Sequence, residues 1–110
     1  MKCIFKRPAQ NILHDNKFIY SGFANYYSEN ISIGGKLTLN RCALTFEGEH
    51  LNAGRTMVVI AIDEIIKVQL ASRICTLQYM TVTTDNAIYR FAVYNGKGWV
   101  KHIKKIMAHK

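Results

Sequence analysis

Apolar and polar residues alternate along the middle part of this chain. Apolar side chains recur at every second position over much of residues 31–39, and again through residues 42–46. Successive side chains of a β-strand point to opposite sides, so this period of two is typical of strands that bury one face. Segments of the same kind recur at intervals of about ten residues as far as Tyr94, which predicts an antiparallel barrel or sandwich.

The period changes near the C-terminal end of the chain. Trp99, Ile103 and Ile106 are spaced to share one face of a helix, whereas lysines cover much of the other face. Asn95 is expected to cap the first turn, because an asparagine side chain accepts a hydrogen bond from a free backbone N–H there. The sequence therefore predicts a mainly β domain of seven strands with one C-terminal α-helix that caps it.

Short polar segments mark the predicted turns. Asn40-Arg41 and Asp85-Asn86 each separate two strands, and Asp63-Glu64 breaks the pattern between two others. The pair Gly34-Gly35 lies inside a strand and predicts a bulge or a sharp bend. Residues 1–16 lack a sustained period and are expected to be an N-terminal lead-in. The domain is expected to span residues 17–110, since a chain of 110 residues forms about one core.

The composition limits the class of protein. Apolar residues make up 49% of the chain and charged residues 20%, a balance that excludes intrinsic disorder. No apolar run approaches the roughly 20 residues of a membrane-spanning helix, and charges interrupt the N-terminal apolar residues too early for a secretory signal. We therefore expect a globular domain without a transmembrane segment.

The cysteines and histidines do not form a recognisable site. Cys3, Cys42 and Cys75 are widely spaced and odd in number, whereas a disulfide framework uses an even set. Neither a CxxC pair nor an HxxxH pair occurs, so we predict no metal site and no cofactor. We expect reduced thiols in a cytoplasmic protein, with Cys42 as a small core residue.

The net charge of the chain is strongly positive. Fifteen Lys and Arg residues against seven Asp and Glu residues give a formal charge of +8, which attracts anionic partners of any kind. The distribution is more informative, because no acidic residue follows Asp85. The basic residues that follow it are Arg90, Lys97, Lys101, Lys104, Lys105 and Lys110.

Particular residues make this outline resemble a GRAM domain of the pleckstrin-homology-like superfold, in its small bacterial form. The stretch from Gly34 to Phe46 is similar to the family's strand pair, in which a Leu-x-Leu-Thr pattern leads to a phenylalanine. Gly22–Tyr26 resembles the family's first strand, and Ile60–Ile65 resembles its strand that ends in an acidic residue and isoleucine. The resemblance covers about Phe18 to Ile106. It implies a seven-stranded antiparallel barrel or sandwich, capped by the helix, in a non-catalytic binding module.

The resemblance also implies where a phosphoinositide would bind, which is at the open end of the domain, opposite the helix. The loops expected there carry the cation Arg55 and four acidic residues, Glu29, Glu47, Glu49 and Asp85. A phosphate group needs convergent cationic or amide donors, so we do not expect a specific inositol-phosphate pocket. His50, Asn52 and Arg55 are the ligand candidates in this region, with backbone capping of a turn as the alternative role of His50 and Asn52.

Basic residues collect instead on the predicted helix. Residues three or four apart lie on the same side of a helix. A solvent face is therefore shared by Lys97, Lys101, Lys104 and the adjacent Lys105. Arg41 and Arg73, in turns expected near the helix end, are further lipid-binding candidates. We expect weak, charge-driven docking to anionic phospholipid, peripheral at the inner face of the membrane. An ordinary solvated helix surface is the alternative interpretation of the same lysines.

The sequence bears on three other classes of function. A protein-interaction module that uses a strand edge or the tyrosine-bearing first strand is the alternative to lipid binding. The sequence shows no helix-turn-helix, no RNP-type motif and no interleaved stacking platform, which disfavours nucleic acid as a partner. Catalysis is not predicted, because the sequence contains no nucleophile motif, phosphate-binding loop or paired carboxylates.

Overall fold

The computed structural model describes residues 19–50, 54–74 and 77–108, which form seven strands, a short 3₁₀ helix and one α-helix. The strands are β1 (Tyr20–Ser28), β2 (Ile31–Leu39), β3 (Ala43–His50), β4 (Gly54–Ala61), β5 (Ile65–Ile74), β6 (Leu77–Thr84) and β7 (Ile88–Tyr94). The 3₁₀ helix spans Ile62–Glu64, and helix α1 spans Gly96–Ala108. The prediction of a mainly β domain with seven strands and a C-terminal helix is confirmed.

The strands form one antiparallel sheet in the order β4-β3-β2-β1-β7-β6-β5. Strand β1 lies at the centre and pairs with β2 on one side and β7 on the other. Strands β4 and β5 stand at the two ends of this order, so the sheet is not closed into a barrel and the architecture is sandwich-like. The sequence predicts a barrel or a sandwich, and the described part of the chain adopts the sandwich.

The core follows from the alternation in the sequence. Ile33, Leu37 and Leu39 on β2 are buried, while the residues between them are half-buried or exposed. Aromatic rings meet at the centre of the inner face, where Phe46 and Phe91 lie 6.0 Å apart between ring centroids. Burial of one side chain of this size contributes about 1.5–3 kcal/mol, so the inner face of the sheet carries much of the stability of the domain.

Helix α1 is seated on the sheet by Trp99. The indole is only 2% exposed, and its ring meets Tyr20 edge-to-face with centroids 4.6 Å apart. The backbone N–H of Gly98 donates to the side-chain oxygen of Asn95 at 3.3 Å, which confirms the predicted cap. The side-chain NH₂ of Asn95 donates in turn to the Tyr20 hydroxyl at 3.0 Å. The start of the helix is therefore tied to the first strand.

Glycine in β2 has a different role from the one that the sequence suggested. The prediction of a bulge at Gly34-Gly35 is wrong, because both residues pair with β1 in continuous register. A Cβ atom on Gly35 would overlap the backbone carbonyl oxygen of Glu47 on β3. The absence of a side chain thus allows two paired strands to approach closely. Register shifts occur instead in β5, between Ile65 and Lys67 and between Leu70 and Arg73.

The turn between β2 and β3 explains the burial of a polar side chain. The Asn40 side-chain oxygen accepts hydrogen bonds from the backbone N–H groups of Cys42 and Ala43, both at 2.8 Å. Asn40 is buried because these two bonds replace water. Cys42 is buried as predicted, but it is disulfide-bonded, so the expectation of reduced thiols is wrong for this residue. Cys3 and Cys75 lie outside the described residues.

Candidate functional site

The lysines of α1 form one exposed surface. Lys97, Lys101, Lys104 and Lys105 are all exposed and are called the helix face from here on. The other three lysines follow Lys97 by four, seven and eight residues, which places all four on one side of a helix. Trp99 and Ile103 lie on the opposite side and are buried against the sheet. The amphipathic division that the sequence predicts is therefore present.

The charge of the helix face is not compensated within the described residues. Helix α1 contains no acidic residue, so no carboxylate is available one turn away from any of the four lysines. Within residues 19–50, 54–74 and 77–108, no ion pair involves these four lysines. The ammonium groups of the helix face are thus available to an anionic surface.

The two arginine candidates occupy different places in the fold. Arg41 is exposed in the turn between β2 and β3. Arg73 lies within β5, where it pairs with Gln78, so its predicted place in a turn is wrong. The structure describes only the backbone of Arg73. Helix α1 packs on β5, β6 and the 3₁₀ helix, so Arg73 belongs to a strand that supports the helix. That Arg41 and Arg73 extend the helix face stays a prediction.

The acidic residues expected in loops are only partly there. Glu29 and Asp85 lie in the β1–β2 and β6–β7 connections, whereas Glu47 and Glu49 lie within β3 and Arg55 within β4, so the prediction that loops carry these three is wrong. All four acidic residues are exposed. The guanidinium of Arg55 donates to a carboxylate oxygen of Glu47 at 2.6 Å. This hydrogen bond and the charge of Glu47 raise the pKa of Arg55. Arg55 is therefore engaged by a neighbouring carboxylate.

The other two ligand candidates in this region are not placed. His50 is described by its backbone alone, as the last residue of β3, and Asn52 lies outside the described residues. Their role in ligand contact or backbone capping stays a prediction.

Residues 19–50, 54–74 and 77–108 contain no group of three or more histidine, cysteine, aspartate or glutamate side chains that could hold a metal ion. None of the helices in the same ranges has the length and apolar character needed to cross a membrane.

Sequence reasoning missed a second surface, on the side of the sheet that faces away from the core. Five side chains define it, and it is called the outer sheet face: Phe23, Tyr27, Tyr79, Arg90 and Tyr94. Phe23 and Tyr94 are 50% and 49% exposed, and their ring centroids are 6.3 Å apart. Tyr27 and Tyr79 form a second ring pair, with centroids 5.6 Å apart. Side-chain parity was the signal available in the sequence, because Phe23 and Tyr27 alternate with the inward-facing Ala24 and Tyr26.

Comparisons with known proteins give the fold. No family model matches the chain, and no curated protein matches it at a significant level. Among solved structures, the chain is similar to the C-terminal domain of an unknown protein from Leishmania infantum, with a TM-score of 0.70 and 13% identity over 89% of each chain. It is similar to the N-terminal PH domain of Vps36, with a TM-score of 0.67 and 10% identity over 87% of this chain and 82% of that one.

A third similarity is to the DH/PH fragment of PDZRHOGEF, solved in complex with human RhoA. The TM-score is 0.66 at 10% identity, and the match covers 92% of this chain but only 31% of the matched chain. These similarities, together with the strand order and the C-terminal helix, show the pleckstrin-homology-like fold. At this level of identity they show the fold alone.

Proposed function

We propose that this domain is a non-catalytic, GRAM-type binding module that docks weakly on anionic phospholipid surfaces through its helix face. Arg41 and Arg73 are proposed as additional contacts at the edge of this surface. A pleckstrin-homology-like fold is compatible with such a module, but a fold by itself does not specify a ligand. The proposal therefore depends on the surface of this particular chain.

The observation that carries the proposal is the burial pattern of α1. Trp99 and Ile103 fix one side of the helix in the core, so the four lysines are held on the other side and cannot turn inward. Each basic residue near an anionic membrane surface contributes about 1 kcal/mol. Four such residues on one helix therefore give binding that is favourable but weak.

The physics of the helix face also predicts its specificity. Exposed ammonium groups are screened over about 10 Å at moderate ionic strength, so binding depends strongly on salt. Strands and turns at the opposite end of the domain supply no convergent cations among the described residues, and Arg55 is paired with Glu47. We therefore propose selectivity for the charge of the surface and not for one headgroup.

The proposed location is the cytoplasm, with peripheral binding at the inner face of the membrane. The anionic leaflet there carries the surface potential that attracts clustered basic residues. The disulfide at Cys42 is the observation that opposes this location, since structural disulfides are rare in reducing compartments. Thiol labelling of the protein in its own cell, before and after reduction, shows whether Cys42 is reduced, as a cytoplasmic location predicts, or oxidised.

A protein-interaction module is the second candidate function. The DH/PH fragment of PDZRHOGEF, to which the chain is similar, was solved with a protein, human RhoA. Strands β4 and β5 stand at the ends of the described sheet, where a strand edge can accept a partner peptide. Affinity capture that returns no stoichiometric partner would count against this candidate.

The lipid proposal is tested by co-sedimentation of the full chain with liposomes of phosphatidylcholine alone or with phosphatidylglycerol added. We expect binding to the anionic liposomes only, with the bound fraction falling steeply between 50 mM and 300 mM NaCl. The variant Lys97→Gln, Lys101→Gln, Lys104→Gln, Lys105→Gln is expected to lose most of this binding.

A matched control removes the same amount of charge elsewhere. The substitutions Lys36→Gln, Arg55→Gln, Lys67→Gln and Arg90→Gln neutralise four exposed residues that lie on strands. This control is expected to retain most of the binding, because its lysine-bearing helix is intact. Equal binding to neutral and anionic liposomes, or equal losses in the two variants, would contradict the proposal.

A further inference from the structure

The outer sheet face presents aromatic rings to solvent at the centre of the sheet. Phe23 lies on the central strand β1, and Tyr94 lies on its neighbour β7. About half of each side chain is exposed, although large apolar groups are normally buried. Exposed aromatic patches of this kind mark binding surfaces.

The cross-strand register arranges the outer sheet face in rows. One row runs across five strands, in the order Ser32, Tyr27, Arg90, Thr81 and Gln69. All five side chains point to the same side, because residues directly opposite each other in a sheet share a face. Arg90 is thus placed between a tyrosine ring and a threonine hydroxyl, in the middle of the sheet.

A second row contains Phe23 and Tyr94. Phe23 pairs with Lys36 on β2, and Tyr94 pairs with Leu77 on β6. Phe23 and Tyr27 are four positions apart on β1, which corresponds to about 13 Å along the strand. The row between these two consists of Gly34, Asn25, Ala92 and Tyr79. Tyr79 therefore lies between the two rows, and the rings form one band across the face.

The central strands of this surface carry positive charge only. Strands β1, β6 and β7 contain no acidic residue, and Arg90 is exposed. Within the described part of the chain, Arg90 takes part in no ion pair. Lys67 is exposed on the flanking strand β5, whereas Lys36 on β2 stands opposite the exposed Glu47 of β3. An aromatic surface with cations and no carboxylates on its central strands favours a ligand that is planar and anionic.

We propose that the outer sheet face binds single-stranded nucleic acid, with bases stacked on the two ring pairs and phosphates near Arg90 and Lys67. Base–aromatic stacking tolerates any sequence, because every base has a flat face. The 13 Å between Phe23 and Tyr27 fits a short run of nucleotides and not one isolated base. This function is separate from lipid docking and uses different residues.

An acidic peptide is the competing ligand, and the position of the patch disfavours it. Peptides add to sheets mainly at edges, where backbone N–H and C=O groups are free. The outer sheet face lies on β1, β7 and β6, whose ladders are paired on both sides. Ring faces, hydroxyls and cations are what remains available there, and these groups are the ones that unstacked bases and phosphates use.

The test uses fluorescence anisotropy of a labelled 15-nucleotide dT strand and of a 15-base-pair duplex, with the full chain at 50 mM and 200 mM NaCl. We expect the single strand to bind at least roughly tenfold more tightly than the duplex, because duplex bases are already stacked. The variant Phe23→Leu, Tyr94→Leu keeps apolar volume but removes flat rings, and it is expected to abolish this preference.

Two further variants make the result specific to stacking. Phe23→Tyr, Tyr94→Phe keeps both rings and is expected to preserve the preference for the single strand. The helix-face lysine variant weakens both affinities together and is expected to leave their ratio unchanged. In liposome sedimentation the Phe23→Leu, Tyr94→Leu variant is expected to bind as the unmodified protein does, so this proposal and the lipid proposal fail independently.

Three results would overturn the inference. One is equal affinity for the single strand and the duplex. Another is an unchanged ratio in the Phe23→Leu, Tyr94→Leu variant, whose native folding is checked by circular dichroism. The third is tighter binding of a labelled peptide of alternating glutamate and tyrosine, lost in the same variant, which would assign the surface to a protein ligand.

Discussion

The helix face and the outer sheet face are both basic and exposed, but they are built in opposite ways. The helix face comes from residues close together in the sequence, and it carries charge without flat or apolar groups. The outer sheet face comes from three strands between residues 20 and 94, and its aromatic rings share that face with one arginine. The first surface is suited to any negative surface, whereas the second has shape as well as charge.

The two surfaces depend on the fold in different ways. The lysines keep their common side wherever α1 forms, because helical spacing alone aligns them. Their position relative to the rest of the domain depends on two buried side chains, Trp99 and Ile103. The rings and Arg90 are aligned only by the pairing of β1, β7 and β6, so any change of register would separate them.

The largest expected effect separates the two surfaces by undocking the helix. Trp99→Ala removes a buried indole that packs on Tyr20, and we expect a loss of about 3–5 kcal/mol in the free energy of unfolding. Lys101→Ala changes an exposed residue of the same helix and is the matched control, with an expected change below about 0.5 kcal/mol. Urea denaturation followed by far-UV circular dichroism measures both. Similar changes in the two variants would mean that the helix is not anchored by its apolar side.

A smaller effect tests the support of the outer sheet face. Gly35→Ala places a methyl group against the Glu47 carbonyl and is expected to destabilise the protein by about 1–3 kcal/mol, because paired strands must move apart. Gly22→Ala is the control, since the nearest atom to its added Cβ is 3.7 Å away on Trp99. Thermal unfolding compares the two midpoints. An equal midpoint for both variants would show that the close approach of β2 and β3 is not required.

The smallest expected effect appears only at alkaline pH and concerns the inward-facing side of β1. Burial, followed by the charge of Tyr89, raises the pKa of the inward-facing Tyr26 above 10.0. The folded state then holds its phenolic proton more tightly than the unfolded chain, so stability falls as the pH rises above about 10. Tyr26→Phe removes this contribution and is expected to flatten the decline of stability between pH 10 and 11. The difference between the two proteins is expected to be constant from pH 6 to 9, and a difference that varies there would contradict the assignment.

The fold was largely predictable from the sequence because its signals are local. Alternation fixes which side of β2 is buried, and helical spacing fixes the buried side of α1. The turn at Asn40 follows from a side chain that accepts hydrogen bonds from nearby backbone. In the turn at Asp85, the Thr84 hydroxyl accepts from the backbone N–H groups of Asn86 and Ala87. These properties depend on neighbours in the chain, which are visible before folding.

The features that escaped prediction depend on residues far apart in the sequence. The close contact of Gly35 with Glu47 requires the pairing of β2 with β3, and a glycine in a strand indicates a bulge equally well. The disulfide state of Cys42 depends on a distant partner. Phe23, Tyr79 and Tyr94 become one surface only through the strand order, so composition and local pattern could not identify the outer sheet face.

The most direct test of the central claim, that the two surfaces are separate, is an NMR titration of the uniformly ¹⁵N-labelled chain with bicelles containing phosphatidylglycerol. We predict that the amide chemical shifts change along Lys97–Lys105. The amide chemical shifts of Phe23, Arg90 and Tyr94 are expected to remain unchanged. Changes centred on Glu29, Glu49 and Asp85, with the helix unaffected, would contradict the account.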